Sequence, residues 1–203
     1  MVEASRERVT FRKVAQRIRV PAGFILAPLF IIAAHPTGIS LAAGAALALI
    51  GLTIRAWASG HLRKNQELSV AGPYAYTRNP LYLGTFIMAT GVAVATGSLW
   101  FVALFIVVYL MIYVPVMAAE AEYMQELFPD DYEQYSRRVP LMFPRLTPYR
   151  PQKADDKAGS RGGPSNASRS FDSSLYLRHR EYRAAIGIAI VLALLAARYF
   201  FRI

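Results

Sequence analysis

The chain has 203 residues, of which 55% are hydrophobic and none is cysteine, and it carries a formal net charge of +10. Without cysteine, disulfides, thiolate metal sites and a cysteine nucleophile are excluded. The apolar residues are gathered in long blocks, which marks an integral membrane protein. The basic excess therefore points to anionic lipid surfaces and to orientation in the bilayer; no nucleic-acid-binding motif accompanies it.

In chain order, Met1 to Val20 is polar and rich in Arg. It leads into an apolar run, Pro21 to Ala34, with no small-residue cleavage site, which reads as a retained membrane helix. His35-Pro36-Thr37-Gly38 is a tight turn, and Ile39 to Ala58 is a second apolar helix, so the two blocks form a hairpin. The stretch from Leu81 to Ala119 contains no Asp, Glu, Lys or Arg. It is too long for one span, because a helix rises about 1.5 Å per residue and the hydrocarbon core is about 30 Å thick. Gly97-Ser98 divides it into a second hairpin, with helices near Leu81–Thr96 and Leu99–Ala119, the latter bent by Pro115. Gly, Ser, Asp, Lys and Arg dominate residues 153–174, the composition of a flexible linker. A basic amphipathic segment, Leu175 to Arg183, precedes a final apolar run, Ala184 to Phe201.

The expected architecture is thus all-α and polytopic, with about five transmembrane helices: two hairpins and a C-terminal helix. A membrane domain spans 1–150, a linker 151–174, and the amphipathic segment with its last helix 175–203. The turns at 35–38 and 97–98 hold no Lys or Arg, whereas the N-terminus, the 59–80 loop and the 120–183 region hold nearly all of them. The positive-inside rule makes that charged side cytoplasmic. The expected location is a bacterial inner membrane, with the N-terminus and the other charged segments in the cytoplasm.

The informative segment is Gly72-Pro73-Tyr74-Ala75-Tyr76-Thr77-Arg78-Asn79-Pro80-Leu81-Tyr82-Leu83-Gly84, where the cytoplasmic loop becomes the third helix. Asn79 suits a helix cap and Pro80 a first turn. A helix start with Arg78 beside it is a ready anion site. Glu120 ends the partner helix at the same face on this reading, so a zwitterion would place its carboxylate toward Arg78 and its ammonium toward Glu120. The plainer reading of the same residues is a well-made helix start with interfacial tyrosines and a solvated acid. His35, His61 and His179 are scattered without metal-ligand spacing. Arg55 and Trp57 fit a helix-end snorkel and an aromatic belt, and Tyr109 and Tyr113 fit packing.

The residues Gly72-Pro73-Tyr74 and Arg78-Asn79-Pro80-x-Tyr82-x-Gly84 resemble the signature of the isoprenylcysteine carboxyl methyltransferase family, related to the phospholipid N-methyltransferases. Glu120, Phe128, Tyr132, Tyr135 and Arg138-Val139-Pro140 resemble the family's downstream ending. The resemblance covers roughly Arg55 to Arg145. It implies a helical membrane fold whose cytoplasmic pocket binds S-adenosyl-L-methionine. Gln66, Glu67, Leu68 and Ser69 correspond to the nucleoside-contacting loop, and Tyr74, Asn79, Pro80, Leu81 and Tyr82 to cofactor contacts. Glu120 corresponds to the acidic cofactor partner, and Arg78 and Glu120 carry the catalytic assignment. Three positions depart from the family: its RHP histidine is Asn79, its second glutamate is Ala121, and the arginine associated with the acceptor carboxylate is Val116.

The expected activity is methyl transfer from S-adenosyl-L-methionine to a lipophilic acceptor, either the carboxylate of an isoprenylcysteine-like substrate or a lipid amine. The partners are membrane lipids and a lipophilic or prenylated acceptor, with no nucleic acid and no metal. Two alternatives share the same core residues: an NADPH-dependent reductase of the sterol-reductase type, and a non-catalytic membrane protein that retains the fold.

Overall fold

A computed structural model describes residues 31–63, 67–150 and 170–201. The N-terminal segment, nearly all of the first expected membrane helix, Gln66 and most of the expected linker lie outside these residues. Every regular element among the described residues is helical: α1 (Gly38–Ser59), a 3₁₀ turn (Gly72–Ala75), α2 (Pro80–Ala95), α3 (Leu99–Leu127), α4 (Pro129–Arg138), α5 (Ser173–Arg178) and α6 (Tyr182–Phe201). α1, α3 and α6 are each long and apolar enough to cross a membrane, and α2 is a shorter apolar helix of 16 residues. The protein is all-α and polytopic, as its apolar blocks dictate.

The helices leave their apolar side chains outward, with Leu99, Trp100, Met111, Ile190 and Phe200 all exposed. A water-soluble fold would bury residues of this kind; here they form the surface that lipid covers. Contacts divide the chain into two compact units. Unit one comprises Met1–Ala48, Ala89–Ala121 and Ile188–Ile203; unit two comprises Leu49–Met88 and Glu122–Gly187.

In unit one, α1 begins on a reciprocal cap. The Ser40 N–H donates to Thr37 Oγ1 at 3.1 Å, and the Thr37 N–H donates to Ser40 Oγ at 2.9 Å. The two charge-free turns meet, since the His35 N–H donates to Thr96 O at 2.8 Å. Gly97 has a φ of 76°, and a Cβ there would stand 2.2 Å from His35 O, so glycine is required on both counts. Ala34, Ala95 and Leu195 are fully buried together. Arg198, near the end of α6, donates from Nε to Ala34 O at 2.7 Å. Small residues bring α1 and α2 into backbone contact: a Cβ on Gly44 would lie 2.5 Å from Gly91 O.

Unit two repeats this close approach. A Cβ on Gly51 would lie 2.3 Å from Met88 N and 2.6 Å from Gly84 O. Lipid offers no hydrophobic drive for helix association, so packing of small faces with dispersion and polar contacts does that work. α3 runs unbroken through Pro115 to Leu127, eight residues beyond the end expected from the sequence. Its more polar continuation Glu122–Leu127 belongs to unit two. α4 then places Asp130 and Asp131 in its first turn and Arg137 and Arg138 in its last, matching the helix dipole at both ends. Its apolar face is Tyr132 and Tyr135, three residues apart and both buried. Asp172 caps α5 by accepting from Ser174 N at 2.9 Å and Ser174 Oγ at 2.6 Å. These bonds hold its carboxyl below the usual carboxylate range. The helix therefore starts at Ser173, inside the stretch read as linker, and the amphipathic segment ends in a turn where Arg180 has a φ of 55°.

Candidate active site

The GPY segment sets the site's floor. Gly72 has a φ of 57° and packs on the His61 ring, where a Cβ would stand 2.7 Å from ring atoms. Pro73, Tyr74 and Ala75 are buried in the 3₁₀ turn that follows. Each residue from Tyr74 to Asn79 is then laced to α4 or to the segment after it. Tyr135 donates its hydroxyl to Tyr74 O at 2.7 Å. Tyr149 N donates to Ala75 O at 2.8 Å, and Arg145 N to Tyr76 O at 3.0 Å. Thr77 Oγ1 donates to Met142 O at 2.9 Å, Arg78 N to Pro140 O at 2.9 Å, and Asn79 Nδ2 to Leu141 O at 2.9 Å.

This lacing adds to the expected role of Asn79, which stands at the helix start with its carbonyl accepting from Leu83 N at 3.0 Å. Its side-chain amide reaches away from the helix to Leu141 O, and its N–H is used on Thr77 Oγ1 at 3.4 Å. With Arg78 N also engaged, the anion-binding capacity at this helix start rests on the first turn of α2 and on the Arg78 guanidinium. Asn79 is a clamp on the 140–149 segment, a function its amide performs without titration.

Arg78 is half-buried. Its Nη1 donates to Tyr132 OH at 3.1 Å, and its guanidinium carbon lies 5.9 Å from the centre of that ring. Its Nε is buried without a hydrogen-bond partner, and no acid pairs with it among the described residues. A buried donor on a charged group without an acceptor is costly, and an anionic ligand would relieve it. Burial pushes the neighbouring Tyr135 phenol well above its ordinary value, with Tyr74 and Tyr132 adding to the effect. Tyr149 is raised by burial as well.

The loop candidates lie on the other side of the GPY turn. Ser69 Oγ donates to His61 O at 3.1 Å, and Glu67 faces Arg63 at 3.6 Å. Glu67 and Ser69 line a recess with Gly60, His61, Val70 and Asp172. Leu68 is half-buried beside them, and Gln66 lies outside the described residues. Pro80 is fully buried, and Leu81 and Tyr82 are half-buried in the first turn of α2. Glu67, Leu68, Ser69, Tyr74, Arg78, Asn79, Pro80, Leu81 and Tyr82 all belong to unit two. Glu120 belongs to unit one. It is exposed and sits mid-helix, seven residues before α3 ends. The expectation that it ends its helix is overturned by the length of α3.

One feature escaped the sequence reading. Arg55, read as a snorkel, holds Glu181 with Nε at 3.0 Å and Nη2 at 2.9 Å, and its Nη1 reaches Leu81 O at 3.3 Å and Thr85 Oγ1. A lone acid in the run Arg178-His179-Arg180-Glu181-Tyr182-Arg183 was the available signal.

Comparison with known proteins agrees with the signature residues. The phospholipid methyltransferase family matches residues 39–131. The chain resembles the membrane methyltransferases. That match takes in α1, the GPY turn, α2 and α3, and it ends just before Tyr132 and the 140–149 segment. Among relatives, the cobalt-zinc-cadmium resistance protein CzcN of Cupriavidus metallidurans is 34% identical over 109 residues, 53% of this chain and 49% of that protein. The nickel-cobalt-cadmium resistance protein NccN of Alcaligenes xylosoxydans xylosoxydans is 32% identical over the same length. The protein-S-isoprenylcysteine O-methyltransferase of Schizosaccharomyces pombe is 35% identical over 83 residues, 41% of this chain and 35% of the enzyme. The chain spans about half the length of the two resistance proteins, and less of the yeast enzyme. No solved structure matches it significantly.

Proposed function

We propose that this protein is an S-adenosyl-L-methionine-dependent methyltransferase of the bacterial inner membrane, acting on a lipophilic acceptor from a cytoplasmic site. The observation that carries the reading is Arg78. It is a half-buried guanidinium with an orphaned Nε, fixed by Tyr132 beside the first turn of α2, inside the region that matches the family. It suits a carboxylate, and the cofactor's methionine end supplies one together with an ammonium. Glu120 is assigned to that ammonium by its place in the family's ending. Glu67, Leu68 and Ser69 are assigned to the nucleoside on the same ground.

The cofactor, when bound, supplies an already activated methyl group on a sulfonium. An acceptor oxygen or nitrogen would take that methyl group as the carbon–sulfur bond broke, the electron pair going to sulfur. The protein's task is placement and exclusion of water. The lacing of residues 74–79 holds that platform rigid. An acceptor carboxylate has no proton to lose, whereas a lipid ammonium must shed one. Val116 stands where the family has the arginine associated with an acceptor carboxylate, and it is buried. That favours the lipid amine of the two acceptors.

Among the described residues, no three His, Cys, Asp or Glu side chains gather in a way that could hold a metal ion.

The test is calorimetric titration of S-adenosyl-L-methionine, and separately of NADPH, into the full chain in lipid nanodiscs. Saturable binding of the first alone, weakened at least about tenfold by Arg78→Ala for loss of a charge-assisted contact, supports the reading. Binding of NADPH alone moves the assignment to a reductase. Binding of neither by a folded protein leaves the non-catalytic alternative.

A further inference from the structure

The segment after α4 shows a division that the cofactor site does not use. Met142 and Tyr149 face inward and are buried, at 7% and 8% exposure. Phe143 and Leu146, on the same short stretch, are 73% and 99% exposed. Pro144 and Pro148 beside them are exposed too. The loop is not loose, because its backbone is laced to residues 75–79 and the Arg145 guanidinium donates to Arg138 O at 3.0 Å and Thr147 Oγ1 at 3.2 Å. Two large apolar side chains are thus held out rigidly.

What they are held toward follows from their position. Phe143 and Leu146 flank the bonds to Tyr76 and Thr77, which precede the apolar helix α2 at Pro80 by three or four residues. An extended chain of that length covers at most about 14 Å. The loop therefore lies within reach of the layer where the chain enters the hydrocarbon, a zone of headgroups some 5–8 Å deep on each side. The charge pattern fits an anionic layer. Residues 137–150 contain Arg137, Arg138, Arg145 and Arg150 and no acid. The acids nearest in sequence are Asp130, Asp131 and Glu133 on α4 and Asp155 and Asp156 after Arg150, and Glu133 is paired with Arg137 at 2.6 Å. Arg138 and Arg150 are exposed.

We propose that residues 141–148 form an interfacial anchor, with Phe143 and Leu146 seated among the headgroups of anionic phospholipids and Arg138 and Arg150 on their phosphates. Apolar insertion and basic charge together are the pairing that holds a segment at a membrane surface. The anchor couples the lipid surface to the platform at 75–79, because the same backbone serves both. It stands independently of the reaction assigned above.

The chain lacks cysteine, so Phe143→Cys and Leu146→Cys each give a single labelling site at an exposed position. Each variant, carrying an environment-sensitive fluorophore, is placed in phosphatidylcholine nanodiscs with and without phosphatidylglycerol. Quenching is read with a lipid bearing a shallow nitroxide and with an aqueous quencher. The expected result is loss of fluorescence to the lipid quencher, greater with phosphatidylglycerol and reduced by Arg138→Gln with Arg150→Gln. Quenching only from water overturns the proposal, and so does protection from both quenchers, which would mean protein covers the loop. Lipid quenching indifferent to phosphatidylglycerol overturns the assignment to anionic lipid.

Discussion

Glu181→Ala removes the carboxylate that Arg55 holds through two nitrogens. The pair is neither a surface pair nor a sealed one, with side-chain exposures of 21% for Arg55 and 11% for Glu181. Exposed pairs contribute about 0–1 kcal/mol, and removing one partner of a buried pair costs about 3–5 kcal/mol. Arg55 keeps two other acceptors, Leu81 O and Thr85 Oγ1, after the change. The expected loss is therefore intermediate, about 2–3 kcal/mol. For a chain of this size that corresponds to about 5–10 °C in Tm. Thermal unfolding in mild detergent is followed through tryptophan fluorescence. Trp57 lies 6.4 Å from both the His61 and Tyr76 rings and so reports on unit two. A double-mutant cycle with Arg55→Met isolates the pair and should give a coupling of at least about 1 kcal/mol. A loss below about 0.5 kcal/mol, or strict additivity, would refute the claim that this pair ties the C-terminal segment to the start of α2.

Three further outcomes are expected. Gly51→Ala puts a methyl group 2.3 Å from Met88 N, where backbone cannot yield, and should cost about 3 kcal/mol or more. Gly187→Ala, with nothing within 4 Å, should be neutral or stabilise by about 0.5–1 kcal/mol, and thermal denaturation of the two variants side by side checks the contrast. Asn79→Ala loses the bond to Leu141 O and should cost about 1 kcal/mol; it should also raise the protease sensitivity of the 140–149 segment. Tyr135 keeps its proton more tightly folded than unfolded, so its contribution is fully present at neutral pH and is lost as pH rises above its ordinary value of 10.0. Tyr135→Phe should lower stability near neutrality by about 1–2 kcal/mol, by orphaning Tyr74 O. It should also flatten the alkaline decline in a denaturation series across pH.

The membrane helices within the described residues were legible because bilayer thickness imposes a length and an apolar composition. α1 and α2 fall within one residue of their expected ends, and Gly97 marks the turn between α2 and α3. The end of α3 was hidden because polarity at Glu120 marks a change of surroundings, and a helix crosses such a change without breaking. The GPY to Gly84 core was legible through its motif. The roles inside it were not, because the same amide that suits a cap at Asn79 also reaches a carbonyl brought alongside by α4. The Arg55–Glu181 pair joins residues 126 positions apart, a distance at which sequence gives only the charge and never the partner.

The lacing of residues 74–79 by 135–149 has a consequence for biogenesis. The apolar hairpin of α2 and α3 can enter the bilayer as soon as it leaves the ribosome, since each helix satisfies its own backbone. The segment before α2 cannot be fully laced until some 70 further residues have been made, since its partners include Tyr135, Pro140 and Tyr149. Insertion and assembly of the site are therefore separate events. A nascent chain halted after Arg138 would be embedded in the membrane with its helices in place and the 74–79 segment still unlaced.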